Sequence, residues 1–194
     1  MEATGPHPPL GRVRRLLGGA GRQEGSSLLS SIGEIVLIVA AAFVLALLIQ
    51  HFLVKPFGIP SESMEPTLLK GDRVLVNRLA YRFGEPQRGD IVVFRPPMGN
   101  EDYIKRIVAV GGDTVAVHDG RLYVNGEPQS EPYIKEQQLL GQFEEVEVPE
   151  GSCFMMGDNR NNSGDSRVFG SVKKSAVVGK AFLIYWPLSH LGRP

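Results

Sequence analysis

From Ile35 to Ile49 the chain reads IVLIVAAAFVLALLI, without one polar side chain. With Ser30 to Gly33 before it and Phe52 to Val54 after it, the stretch approaches the roughly 20 apolar residues that cross a bilayer. A buried core helix this uniformly apolar would need a larger domain around it than the rest of the chain offers. A cleaved leader would end in small residues, but here the exit is Gln50-His51-Phe52-Leu53-Val54-Lys55, bulky and polar. A twin-arginine export signal at Arg14-Arg15 lies too far upstream of the apolar run. Arg12, Arg14, Arg15 and Arg22 precede the run against only Glu2 and Glu24, which orients a single retained span with its N-terminal side in the cytoplasm. The expected organisation is a disordered cytoplasmic tail at 1–27, an anchor helix at 28–54 and an extracytoplasmic domain at 55–194.

Lys and Arg total 21, as do Asp and Glu, so no basic excess points to nucleic acid. Cys153 is the sole cysteine, which excludes an intrachain disulfide and a thiol-ligated metal. Beside Ser152 and Phe154-Met155-Met156 it reads as a small core residue of a strand. The four histidines, at 7, 51, 118 and 190, have no ligand spacing, and no metal site is expected.

Beyond Lys55 helical periodicity almost vanishes. Strands are expected at 72–77, 90–94, 103–110, 145–148, 152–156 and 177–186. Thr114 to His118 and Arg121 to Val124 flank Asp119-Gly120, a dipeptide that tolerates the positive φ angles of a type I′ hairpin turn. Residues 127–145 are polar and irregular, with Gln137 to Phe143 a candidate short helix. Many short strands with Gly and Pro turns indicate an all-β, mostly antiparallel domain with a small β-hairpin insertion around 114–150, preceded by one transmembrane helix.

Three places can carry chemistry. In Pro60-Ser-Glu-Ser-Met-Glu-Pro66, prolines restrict the backbone on either side of Ser63, which suits a presented nucleophile, although taken alone the segment reads as an ordinary turn. On the 103–110 strand, alternation puts Tyr103, Lys105, Ile107 and Ala109 on one face. There desolvation would lower the lysine pKa from about 10.4 and fit it for general-base work. Solvated strand charges would give the same pattern. Arg106, on the opposite face, does not lose its proton in proteins. The third place, Gly157-Asp-Asn-Arg-Asn-Asn-Ser163-Gly-Asp165-Ser-Arg167, is dense in hydrogen-bonding groups and is compatible with a plain surface loop.

Taken in order, the anchor, Pro60 to Leu68, Arg88-Gly-Asp-Ile-Val-Val-Phe94, Tyr103-Ile-Lys-Arg106 with Gly111-Gly-Asp113, and Gly157 to Arg167 closely resemble the bacterial type I signal peptidases. The resemblance spans about residues 30–185. It implies a membrane-bound serine endopeptidase that cuts signal peptides from exported preproteins after Ala-x-Ala-like ends. Ser63 would be the nucleophile and Lys105 the general base, with Ser61 joining the Ser63 amide in an oxyanion hole. Ser163 would orient the lysine, and Asp158, Asp165 and Arg167 would brace the site. Phe57, Ile59, Met64, Leu68, Val93, Tyr103 and Ile104 match apolar walls of the substrate pockets, with substrate added as a β-strand. The resemblance implies no cofactor. As partners it implies preprotein signal peptides and the lipid bilayer, with the secretion translocon a further candidate, and it places the protein in a bacterial plasma membrane. Two rivals are a related Ser/Lys protease with a narrow client and a non-catalytic signal-peptide binder, which would have no chemical need for Ser63, Lys105 and Ser163 together.

Overall fold

The structure, a computed structural model, describes residues 24–194, with side chains described for 31–48 and from Leu53 onward. Helix α1 runs Glu24–Phe52. Every side chain from Ser31 to Leu48 is exposed, and this part is long and apolar enough to cross a membrane. The helix expected at 28–54 starts four residues earlier and stops before Val54, whose backbone is already paired with Asn77. Of the tail expected at 1–27, residues 1–23 lie outside the described residues.

Eleven strands follow among the described residues: β1 Val54–Gly58, β2 Arg73–Asn77, β3 Ile91–Phe94, β4 Tyr103–Val110, β5 Thr114–His118, β6 Arg121–Val124, β7 Glu127–Pro128, β8 Phe143–Glu147, β9 Ser152–Met156, β10 Val172–Lys173 and β11 Val177–Trp186. A one-turn helix α2, Ser166–Phe169, lies between β9 and β10. All pairings are antiparallel, in a seven-stranded sheet ordered β1-β2-β11-β3-β4-β9-β10 and a four-stranded sheet ordered β7-β6-β5-β8. The hairpin foreseen at Asp119-Gly120 forms, with φ of 51° and 70° at the two turn residues.

The larger sheet curls. β1 and β4 are four places apart, a span of about 19 Å if strands lay flat at ~4.8 Å spacing. Yet Lys55 Nζ on β1 pairs with Asp102 Oδ2, next to β4, at 3.0 Å. Burial on both faces drives this shape. Ile91 and Val93 of β3 enter a core with Val74, Val76, Ile104 and Ile184, while Val92 and Phe94 enter a second with Ile107, Met155 and Val172. A third core, including Val108, Val115, Leu122, Val124, Phe154 and Met156, seats the smaller sheet.

The helix expected within Gln137 to Phe143 does not form. Leu139 N–H donates to Gly120 O at 3.0 Å and Leu140 N–H to Asn161 Oδ1 at 2.7 Å, so this backbone is committed to distant acceptors instead of its own turn.

Candidate active site

The loop between β1 and β2 is closed at its base by two backbone bonds of 2.9 Å, Ile59 N–H to Asp72 O and Gly71 N–H to Ile59 O. Met64 and Leu68, both with 0% exposure, anchor the loop in the core, and Leu68 N–H closes a turn onto Met64 O at 2.9 Å. Its tip is gripped from outside by Asn159, whose N–H donates to Ser63 O at 3.1 Å and whose Nδ2 donates to Glu62 O at 3.0 Å. Ser63 is thus held by backbone on both sides of its own side chain.

Facing it is Lys105, in the middle of β4 and 4% exposed. Lys105 pairs with Val92 and shares that face with Ile107 and Phe94. Its Nζ donates to Ser63 Oγ at 2.6 Å and lies 5.6 Å from the centroid of the Tyr103 ring. Lys105 makes no ion pair among the described residues. Burial pushes its pKa down from 10.5 to about 8, against the opposing pull of the Asp165 and Asp158 carboxylates. Ser61 Oγ stands 3.2 Å from Ser63 Oγ.

Arg106, one residue on and facing the other way, is also buried. It makes a bidentate pair with Asp158, Nε to Oδ1 at 2.9 Å and Nη2 to Oδ2 at 2.7 Å, and its Nη1 donates to Gly89 O at 3.0 Å. Thr67 Oγ1 donates to the same carboxylate at 2.6 Å, tying it back to the Ser63 loop. Asp165 accepts from Gly157 N–H at 3.1 Å and from Arg167 Nε and Nη2 at 2.8 Å each, and it caps α2.

Ser163 is close but not engaged. Its Oγ is buried, without a hydrogen-bond partner. A Cβ added to Gly157 would stand 2.3 Å from both Ser163 Oγ and the Ser63 carbonyl oxygen, so only glycine lets these three elements meet.

A cleft of about 540 Å³ opens onto the pair, lined by Phe57, Ser61, Tyr103, Ile104 and Gly164 among others. Of the seven apolar residues singled out in the sequence, Phe57, Tyr103 and Ile104 line it. Ile59, Met64, Leu68 and Val93 are instead packed beneath, with exposures of 0–3%. Asp158 was expected to brace the site, but its pairing with Arg106 was not foreseen, and Asn159, Thr67 and Gly157 lie inside the matching motifs with no role assigned to them there. Each acts through a contact across the fold, which periodicity does not carry.

The profile of the family described as "Signal peptidase, peptidase S26" matches residues 32–186. The chain is 42% identical over 171 residues to a probable signal peptidase I-1 of Synechocystis, covering 84% of this chain and 86% of that one. It is 38% identical over 174 residues to signal peptidase IB of Staphylococcus aureus, covering 81% and 91%. A crystal structure of a signal peptidase I from Enterococcus faecalis aligns at 36% identity and a TM-score of 0.45, over 50% of this chain and 97% of that one.

Proposed function

The chain belongs to the signal peptidase family, peptidase S26, whose members are serine hydrolases, and from that premise we propose that it removes signal peptides from exported preproteins with a Ser63/Lys105 dyad. The 2.6 Å contact between an unpaired, buried lysine amine and the Ser63 hydroxyl carries this reading.

When Lys105 is neutral, the line along which Nζ now donates runs in reverse: the amine takes the Ser63 proton as Oγ attacks the scissile carbonyl. The Ser61 hydroxyl and the Ser63 N–H would hold the oxyanion, a donor of this kind being worth about 2.7–4 kcal/mol. The Lys105 ammonium then returns the proton to the departing amine of the mature protein. Water, deprotonated by the again neutral lysine, hydrolyses the acyl-enzyme and frees the signal peptide as a carboxylate. Ser163 would steady the lysine once its hydroxyl turns to the amine.

Phe57, Tyr103 and Ile104 at the cleft favour small apolar side chains next to the cut, consistent with Ala-x-Ala ends. Ile59, Met64, Leu68 and Val93 form the floor that limits their depth. The apolar length of Ser31–Leu48 and the arginines before it support a single span with the catalytic domain outside. The bilayer and the translocon that feeds substrate would then be its neighbours. Tethering raises the effective concentration of a cleavage site that is itself membrane-bound.

The test is cleavage of a preprotein bearing an Ala-x-Ala site by the detergent-solubilised full chain, with the cut mapped by mass. Cutting at that site, lost in Ser63→Ala and in Lys105→Met, is the expected result. Retained cutting in Lys105→Met would remove the lysine from the mechanism.

A further inference from the structure

The irregular segment from Glu131 to Leu140 has no regular structure and no place in the chemistry above, yet it touches each half of the site. Glu131 forms a bidentate pair with Arg160, Oε2 to Nη1 at 2.5 Å and Oε1 to Nη2 at 2.6 Å, with side-chain exposures of 5% and 0%. Tyr133 donates its hydroxyl to Glu131 Oε1 at 2.9 Å. Its ring lies beneath two guanidinium groups, with Arg106 Cζ 3.9 Å and Arg160 Cζ 5.9 Å from the centroid. Lys135 N–H donates to Asp158 O at 3.2 Å, and its Nζ reaches Glu65 Oε2 at 2.9 Å. Glu136 accepts from Arg160 N–H at 3.0 Å.

We propose that this segment is a strap whose Tyr133 ring acts as a positioning residue for the dyad, holding Arg106 on Asp158 and, through Thr67 and Asn159, Ser63 opposite Lys105. The inference rests on the dyad reading. An aromatic face under a guanidinium is a restoring contact. Arg106 slides on neither side because Asp158 fixes its edge and Tyr133 its plane. The same carboxylate accepts from Thr67 in the Ser63 loop, and the residue after it, Asn159, grips Ser63 itself. A sub-ångström relaxation of the ring therefore reaches the nucleophile, where misplacement of about 1 Å can cost on the order of a hundredfold in rate.

The Ser63 hydroxyl and the Tyr103 ring flank the Lys105 amine, and the carboxylates of Asp158 and Asp165 act on its charge without touching it. If Arg106 loosens, the Asp158 charge is less cancelled and favours the ammonium, so the acid limb of the pH–rate profile moves to higher pH. A segment serving only as filler would lower the melting temperature and leave that limb in place.

The experiment compares the full-length wild type with Tyr133→Phe, which keeps the ring, and Tyr133→Met, which fills the space without a π face, on the preprotein used above. In Tyr133→Met, kcat should fall about tenfold or more with KM within about twofold, and the acid limb should move upward. Tyr133→Phe should stay within about threefold of wild type. Wild-type kcat and an unmoved limb in Tyr133→Met would overturn the proposal while leaving the dyad intact, because the wild type cuts and Lys105→Met does not in the same assay. Equal losses in both variants would also overturn it. Should Tyr133→Met not fold, Lys135→Ala at the exposed middle of the strap decides. A two- to threefold fall in kcat, restored by the swap Lys135→Glu with Glu65→Lys, supports the strap, and an unchanged kcat overturns it.

Discussion

Lys105 and Arg106 are neighbours on one strand and both are buried, yet the two sides of β4 treat charge in opposite ways. On one side the amine has a hydroxyl and an aromatic ring but no acid in contact. On the other, the guanidinium meets Asp158 with two hydrogen bonds, a backbone carbonyl with a third and a tyrosine face with its plane. Burial without a partner leaves an amine that gives up its proton more readily near neutral pH. Burial with a partner makes a brace. The same desolvation acts in both places, and what differs is whether the fold supplies a counter-charge.

The largest separation between the sides should come from Lys105→Met. Cleavage should fall at least about a thousandfold while stability rises. A depression from 10.5 to about 8 means that the charged amine costs the folded state on the order of 3 kcal/mol. Between pH 8 and 10.5 the folded form binds fewer protons than the unfolded form, so this penalty is full below pH 8 and vanishes above about 10.5. The gain in melting temperature should accordingly be large at pH 7 and nearly absent at pH 10.5, and an equal gain at both would break the comparison.

Arg106→Met should do the reverse, destabilising by about 3–5 kcal/mol because Asp158 is left buried and uncompensated. Adding Asp158→Leu should recover much of that loss in urea unfolding without recovering activity. If the single variant proves neutral, the brace reading fails.

Gly157→Ala tests the seam that joins the sides. Its Cβ would force apart the Ser63 carbonyl and the Ser163 hydroxyl, at a cost of about 1–3 kcal/mol. The expected fall in kcat is on the order of a hundredfold, read by steady-state kinetics alongside a thermal melt.

The smallest expected effect needs no mutation. With the lysine pKa at about 8, the neutral fraction rises about fivefold from pH 7 to pH 8, and kcat/KM for the wild type should follow. A profile flat across this range would mean that Lys105 is not the titrating base.

Much of this architecture was legible in the chain. β4, β5, β6, β9 and β11 begin and end where alternation and turn residues place them. β1, β7, β10 and α2 were not foreseen: three of them are two to four residues long, too short for a period to register, and β1 emerges directly from an apolar run that masks it. In the sequence the strap looks like a loop with a helical patch, since Glu131, Tyr133 and Lys135 resemble solvated polar residues until Arg160, Arg106 and Glu65 are brought to them.

The sequence alone determined the apolar helix, the antiparallel strands and the side of β4 to which Lys105 points, because hydrophobic length and two-residue alternation are local properties. It also carried the ordered motifs by which the family is recognised. Only the tertiary structure decided that Lys105 is buried without an acid in contact, that Arg106 finds Asp158, and that Gly157 must lack a side chain. Those outcomes depend on β11 passing between β2 and β3 and on the sheet curling until its first strand meets its fifth. Pairings between residues 42 and 52 positions apart are set by how the layers close over the core, and no local period encodes them.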